Sequence, residues 1–154
     1  AHTTTTPAGK KSFGSQQQKK DMLGIALAHH LPYIATATTG YPLDIIAKVK
    51  KALTIKGPKY LQIYTPCVPG WGIEPKDTLL ASQLAVQSGF YPIVEYIDGR
   101  LARAQKITRR VSVEEFLKFQ KRFKHLFKGP EGKAEIAKIQ AMADEKIRKY
   151  GLVG

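Results

Sequence analysis

From Lys20 onward the apolar positions change period several times. In "KDMLGIALAHH" Met22, Ile25, Ala26 and His29 fall on one helical face, and the short β-branched run "YIATAT" follows, so a helix and then a strand are predicted. Pro42 sits where a first helical turn tolerates proline. Behind it Ile45, Ile46, Val49, Ala52 and Leu53 form an apolar stripe with Lys48, Lys50 and Lys51 opposite, and Gly57 and Pro58 stop the helix. "KYLQIYTPC" alternates Leu61, Ile63 and Thr65 against Tyr60, Gln62 and Tyr64, the period of a strand. A third helix is predicted over 77–88, closed by Gly89, and "YPIVEYIDG" reads as a further strand. Helices and strands alternating at short intervals favour an α/β fold with a parallel or mixed sheet flanked by helices.

The last third has a different pattern. "VSVEEFLKFQKRFKHLFKGP" opens with Ser112 and Glu115 in capping-box spacing and Val111 and Phe116 placed as a hydrophobic staple. Phe116, Phe119, Phe123 and Phe127 recur at helical spacing, which predicts packing onto the sheet domain, and Gly129 and Pro130 end that helix. A final helix over 133–150 turns Ile136, Ile139, Ala143 and Ile147 inward and stops at Gly151. Residues 1–18 have no apolar period and read as an extended or loop segment. The chain thus divides into that segment, an α/β body over 19–100 and a helical extension over 101–154.

Composition narrows the class. A chain of 154 residues with 43% hydrophobic residues can bury one ordinary core. Its apolar runs are far shorter than the roughly 20 residues of a membrane-spanning helix, and the N-terminus lacks the apolar centre of a signal peptide. With one cysteine and no internal disulfide, a reducing, cytoplasmic compartment is the default. A start at Ala1 without methionine reads as a processed product or a piece of something longer. The net charge of +13 lies in an N-terminal patch (Lys10, Lys11, Lys19, Lys20) and between Arg100 and Lys149. It suits nucleic acid, anionic surfaces or an acidic protein, or simply the solvated faces of helices.

Cys67 lies where the second strand ends, in "YLQIYTPCVPGWG". From the residues alone it reads first as a small buried hydrophobe. Its flanks supply no His, Lys or Arg to activate a nucleophile, and there is no CxxC pair; His29 and His30 point to different sides of a helix, so zinc is poorly supported. The position still matters, because ligands of open α/β sheets bind at the carboxyl ends of strands.

Six stretches stand in the order found in one family: "TTTTPAGK", "QKKDM", "PYIATA", "TPCVPGWG", "LAVQSGFYPIVEY" and "VEEFLKFQKRFKHL". Together they resemble the beta subunit of 2-oxoacid:ferredoxin oxidoreductases, most closely of the pyruvate synthase type, over its C-terminal half. The resemblance implies the C-terminal part of a thiamine-diphosphate-binding-type domain. It further implies oxidative decarboxylation of pyruvate, delivery of the acetyl group to coenzyme A, and electron transfer through a 4Fe-4S cluster to ferredoxin. Thiamine diphosphate and magnesium are the implied cofactors. The implied partners are the remainder of the beta subunit and subunits of alpha, gamma and delta type. Cys67 matches the position of a cluster ligand; a cubane takes four thiolates, so the others must come from elsewhere. Pro66 and Pro69 would stiffen that loop, and Trp71 would pack there or shield the cluster. The family's paired cysteines and its diphosphate motif lie upstream of the matching segment, so this chain alone is expected to bind neither thiamine diphosphate nor a whole cluster. No catalytic role falls to residues 3–6. Two rival readings remain: a basic nucleic-acid-binding module stacking bases on Phe116, Phe119 or Phe123, and a structural subunit with an inert Cys67.

Overall fold

The computed structural model describes residues 19–153; the segment expected over 1–18, with Lys10 and Lys11, lies outside the described residues. Four strands, β1 at 33–38, β2 at 59–64, β3 at 94–97 and β4 at 100–104, form one sheet in the order β2-β1-β3-β4. The central strand β1 (Tyr33–Thr38) is buried along its whole length. β2 (Lys59–Tyr64) runs parallel to it, pairing Tyr33 with Lys59 through to Thr38 with Tyr64. β3 (Val94–Ile97) and β4 (Arg100–Ala104) are antiparallel to their neighbours. The α/β class is as expected, and the sheet is mixed rather than parallel throughout.

The mixed topology comes from a tight hairpin. Asp98 and Gly99 join β3 to β4 with φ of 46° and 75°, the left-handed geometry of a two-residue turn whose twist matches its strands. The hydrophobic pattern does not predict β4, because all of "RLARA" is exposed or only half-buried and carries no core-facing period. The Asp-Gly pair was the available signal.

Two predicted helix faces are corrected. In α1 (Met22–Ala28), capped by Asp21, whose Oδ1 accepts from Gly24 N at 2.9 Å, the buried residues are Leu23 and Ala26. Met22 and Ile25 remain 39% and 44% exposed, and His29 is the C-cap. The face is set by the cluster that Leu23 and Ala26 join, with Ile34, Val94 and Tyr96. The second case is α2 (Pro42–Thr54), the crossover from β1 to β2, which is rotated so that only Ile45 and Ala52 of the predicted stripe are half-buried. Lys48 is the buried residue, at 2% exposure, while Ile46, Val49 and Leu53 face solvent. The reason is a polar layer beneath the helix. Lys48 Nζ donates to Thr36 O at 2.8 Å and pairs with Asp44 at 2.6 Å, Lys51 pairs with Glu95, and Tyr33 Oη donates to Glu95 at 2.8 Å. Burial pushes the Glu95 carboxyl up, but the bonds from Lys51 and Tyr33 outweigh it and hold the group below the usual carboxylate range.

The larger core lies at the carboxyl end of the sheet. There α3 (Val68–Trp71), α4 (Thr78–Gln87), α5 (Val113–Lys118), a 3₁₀ segment (Lys121–Phe127) and α6 (Gly129–Tyr150) enclose Trp71, Ala85, Phe116, Leu117, Phe123, Leu126 and Ala143. The cap at Ser112 forms, its Oγ accepting from Glu115 N at 3.3 Å. The long helix predicted through the four phenylalanines does not. It breaks at Gln120 (φ −111°, ψ 119°), whose buried amide donates back to Phe116 O at 2.8 Å. The 3₁₀ segment that follows repeats every three residues, so Phe123 and Leu126 turn inward and Phe127 stays half-buried. Ile139, Ala143 and Ile147 of α6 face the core as expected. Gly129 and Pro130 open α6, where the pattern had them only ending the helix before it.

Candidate functional site

β2 carries the chain to the carboxyl edge of the sheet, where Pro66 leads into Cys67, the N-cap of the one-turn helix α3. Trp71 N donates to Cys67 O at 2.8 Å, and Gly72 N and Ile73 N both donate to Val68 O, at 3.0 and 3.3 Å. Pro69 stands in the first turn, and Gly72 closes it with φ 64°, where an added Cβ would meet Lys121 Cβ at 2.8 Å. Two prolines, three closing hydrogen bonds and a glycine-only turn make this a stiff loop.

Cys67 is exposed, which overturns its reading as a small buried hydrophobe. The apolar demand of the loop is met by its neighbours: Trp71 is 8% exposed and tilts against Tyr64 at 5.5 Å, and Tyr64 stacks on Tyr91 at 4.6 Å. The expected packing role of Trp71 is thus seen. The thiol is left at the surface of the loop.

Arg122, inconspicuous within a run of lysines, completes this neighbourhood. Its guanidinium lies 4.0 Å from the centre of the Trp71 ring and 4.5 Å from that of Phe123. Nε donates to Gln120 Oε1 at 2.8 Å, and Gln120 is itself fixed by Phe116 O. Among the described residues no carboxylate forms an ion pair with it. Burial pushes its pKa down to about 10, opposed by Tyr64 and Cys67 within electrostatic reach. The Tyr64 hydroxyl is buried beside it without a hydrogen bond of normal geometry, and burial pushes that phenol up. A half-buried cation stacked on two rings and lacking a counter-charge is an environment suited to an anion. The hint in the sequence was an arginine next to an aromatic in "FQKRF".

The donor set can be tested against the implied groups. Among the described residues no cluster of three or more His, Cys, Asp or Glu side chains could hold a metal ion. One exposed thiol beside an uncompensated cation fits a single ligand to an anionic, thiolate-bound centre, but not a whole centre. Nothing described fits magnesium or a diphosphate. Phe116 and Phe123 are 0% and 5% exposed within the core, so they offer no face to a stacked base. No described helix is long and apolar enough to cross a membrane.

No family model matches the chain. It is 47% identical over 152 residues to the pyruvate synthase subunit PorB of Methanosarcina barkeri, covering 99% of this chain and 51% of the relative. Identity to PorB of Methanocaldococcus jannaschii is 45% over 152 residues, 99% and 49% of the two chains. To the ketoisovalerate oxidoreductase subunit VorB of Pyrococcus abyssi it is 40% over 130 residues, 83% and 42%. The chain therefore spans about half the length of the curated relatives it matches.

Proposed function

Starting from the chain's place in the family of PorB and VorB beta subunits of 2-oxoacid oxidoreductases, we propose that it is the part of such a subunit that presents one cysteine ligand, Cys67, to a 4Fe-4S cluster. The assembly would oxidise a 2-oxoacid with coenzyme A to carbon dioxide and an acyl-CoA. The two electrons released leave to ferredoxin. Pyruvate is the proposed substrate, since the pyruvate synthase subunits named above are more similar to this chain than the ketoisovalerate one.

The observation that carries the reading is an exposed thiol on the same stiff loop as Trp71, on which Arg122 stacks, a cation that finds no carboxylate among the described residues. When bound, a thiolate-ligated cluster carries single electrons and a net negative charge that grows on reduction. The residues here match that need. Cys67 supplies sulfur from a stiff loop, Trp71 keeps water from one side, and Arg122 supplies positive charge without titrating near neutral pH. The other thiolates, magnesium and thiamine diphosphate would be held by the unmatched half of the subunit. Alpha, gamma and delta type subunits complete the assembly, and its compartment is the reducing cytoplasm. Lys118, Lys121 and Lys124 are exposed, the first two ion-paired with Glu114 and Glu74, and would help steer acidic ferredoxin. Neutralising all three is expected to slow ferredoxin reduction at low salt, and an unchanged rate would remove that role.

The test is anaerobic purification of the chain with its partners, scored by iron, thiamine and visible absorption, with Cys67→Ala alongside. Iron that falls in the variant while thiamine stays bound supports the ligand. Full iron in Cys67→Ala refutes it.

A further inference from the structure

In α2 the buried side is rotated away from the centre of the apolar stripe: Ile45 and Ala52 are half-buried beside Lys48, and the rest of the stripe is exposed. Its thirteen residues put Leu43, Ile46, Val49 and Leu53 along one side, and these are 79%, 49%, 39% and 79% exposed. Lys48, from the polar side of the pattern, is the residue held inside, by Asp44 and Thr36 O. The rotation is therefore fixed by specific bonds. A helix so anchored leaves its apolar stripe in water unless another surface covers it.

The neighbouring sheet edge points the same way. β2 is the outer strand next to β1, so one side of its backbone has no strand partner among the described residues. Ile63, 44% exposed, pairs with Ala37, which by strand alternation shares a face with Tyr33 and Ala35. Tyr33 bonds to Glu95, which pairs with Lys51 of α2, so Ile63 lies on the α2 side of the sheet. A bare apolar stripe and an open parallel edge thus occur in one region.

We propose that this surface, the outward stripe of α2 together with the β2 edge, is the seam that receives the other half of a PorB-length beta subunit. The occupant is set by length: the relatives carry about as much chain again as the matched half. A second copy is disfavoured by charge, because exposed Lys50 and Lys51 flank the stripe and each copy carries +13. The arriving surface should be apolar with carboxylates opposite Lys50. The inference rests on the family relation and not on Cys67, so loss of the cluster reading would leave it standing.

The experiment is co-expression of this chain with the tagged, unmatched half of the Methanosarcina barkeri subunit. Wild type is compared with Leu43→Lys/Leu53→Lys and with the control Leu101→Lys, exposed on the far edge strand β4. Wild type and control should co-purify with the tagged half, and residues 42–54 should gain hydrogen-exchange protection. The double variant should lose at least tenfold of the captured chain while its own melting temperature stays unchanged. Retention by the double variant, or no capture of wild type, would overturn the proposal. So would a homodimer of this chain that the double variant dissociates, or binding to phosphatidylserine vesicles that it abolishes.

Discussion

Gly132→Ala is the substitution for which helix propensity and tertiary geometry predict opposite signs. In an isolated helix the change would stabilise by about 0.5–1 kcal/mol, because alanine loses less backbone entropy on ordering. Gly132 lies in α6, where an added Cβ would stand 2.1 Å from Leu126 O, 2.6 Å from Leu126 C and 2.9 Å from its Cα. These are backbone atoms, so no rotamer change relieves the contact. Restoring ordinary separation requires α6 and the segment Lys121–Phe127 to part by roughly an ångström, and overpacking of this kind costs about 1–3 kcal/mol or more. The clash wins, for a net loss of about 1–2 kcal/mol and a melting temperature lower by roughly 2–8 °C in a chain of this size. The displaced segment carries Arg122, 4.0 Å from the Trp71 ring. Trp71 is the only tryptophan in the chain, so its fluorescence should shift in the native state. The assays are thermal unfolding and emission spectra. A variant more stable than wild type, with unchanged Trp71 emission, would refute the close approach of α6 to this segment.

Other substitutions separate the remaining forces. Arg122→Met keeps the stacked stem and removes an unpaired cation, so the chain itself should be unchanged or up to about 2 kcal/mol more stable in urea. In the complete assembly the cluster's midpoint potential should fall, because the more negative reduced state loses a positive neighbour; an unmoved potential in a redox titration would deny Arg122 that role. Lys48→Ala leaves Asp44 buried with only the longer 3.5 Å contact to Arg103, and should cost about 3 kcal/mol in urea denaturation. Glu95 is held below the usual carboxylate range, so its stabilisation is complete above that range and is lost as pH falls through the folded value. Urea midpoints measured from pH 7 to pH 3 should therefore decline less steeply in Glu95→Gln. Ser112→Ala removes the cap on Glu115 N and should cost about 1 kcal/mol, read from the same unfolding curves.

The cluster reading and the α2 seam stand on different parts of the molecule. Cys67 and Arg122 sit at the carboxyl end of β2, among aromatics drawn from three chain segments. The seam lies on α2 and the free edge of the sheet. One assembly can thus be probed twice, by its iron and by its subunit contacts.

The order of elements was legible in the chain because it depends on local chemistry. Proline at the start of α2, the β-branched run of β1, the alternation through β2, the cap at Ser112 and the stops at Gly89 and Gly151 act over a few residues, and each stands where the pattern put it. The stiff turn after β2 was legible for the same reason, as was the packing of Trp71 within it. What faces what was settled only in three dimensions. The hydrophobic period of α2 is real, yet Glu95, 62 residues from Tyr33 in the chain and bonded to it in space, makes the floor beneath that helix polar, and Lys48 turns inward onto Thr36 O and Asp44. Gln120 breaks a helix that the phenylalanine spacing predicted, because its side chain takes the Phe116 carbonyl. The stacking of Arg122 over Trp71 joins residues more than fifty positions apart, and the exposure of Cys67 appears only in the packed loop. Periodicity states which residues could share a face, and only the packed neighbours decide whether that face is buried.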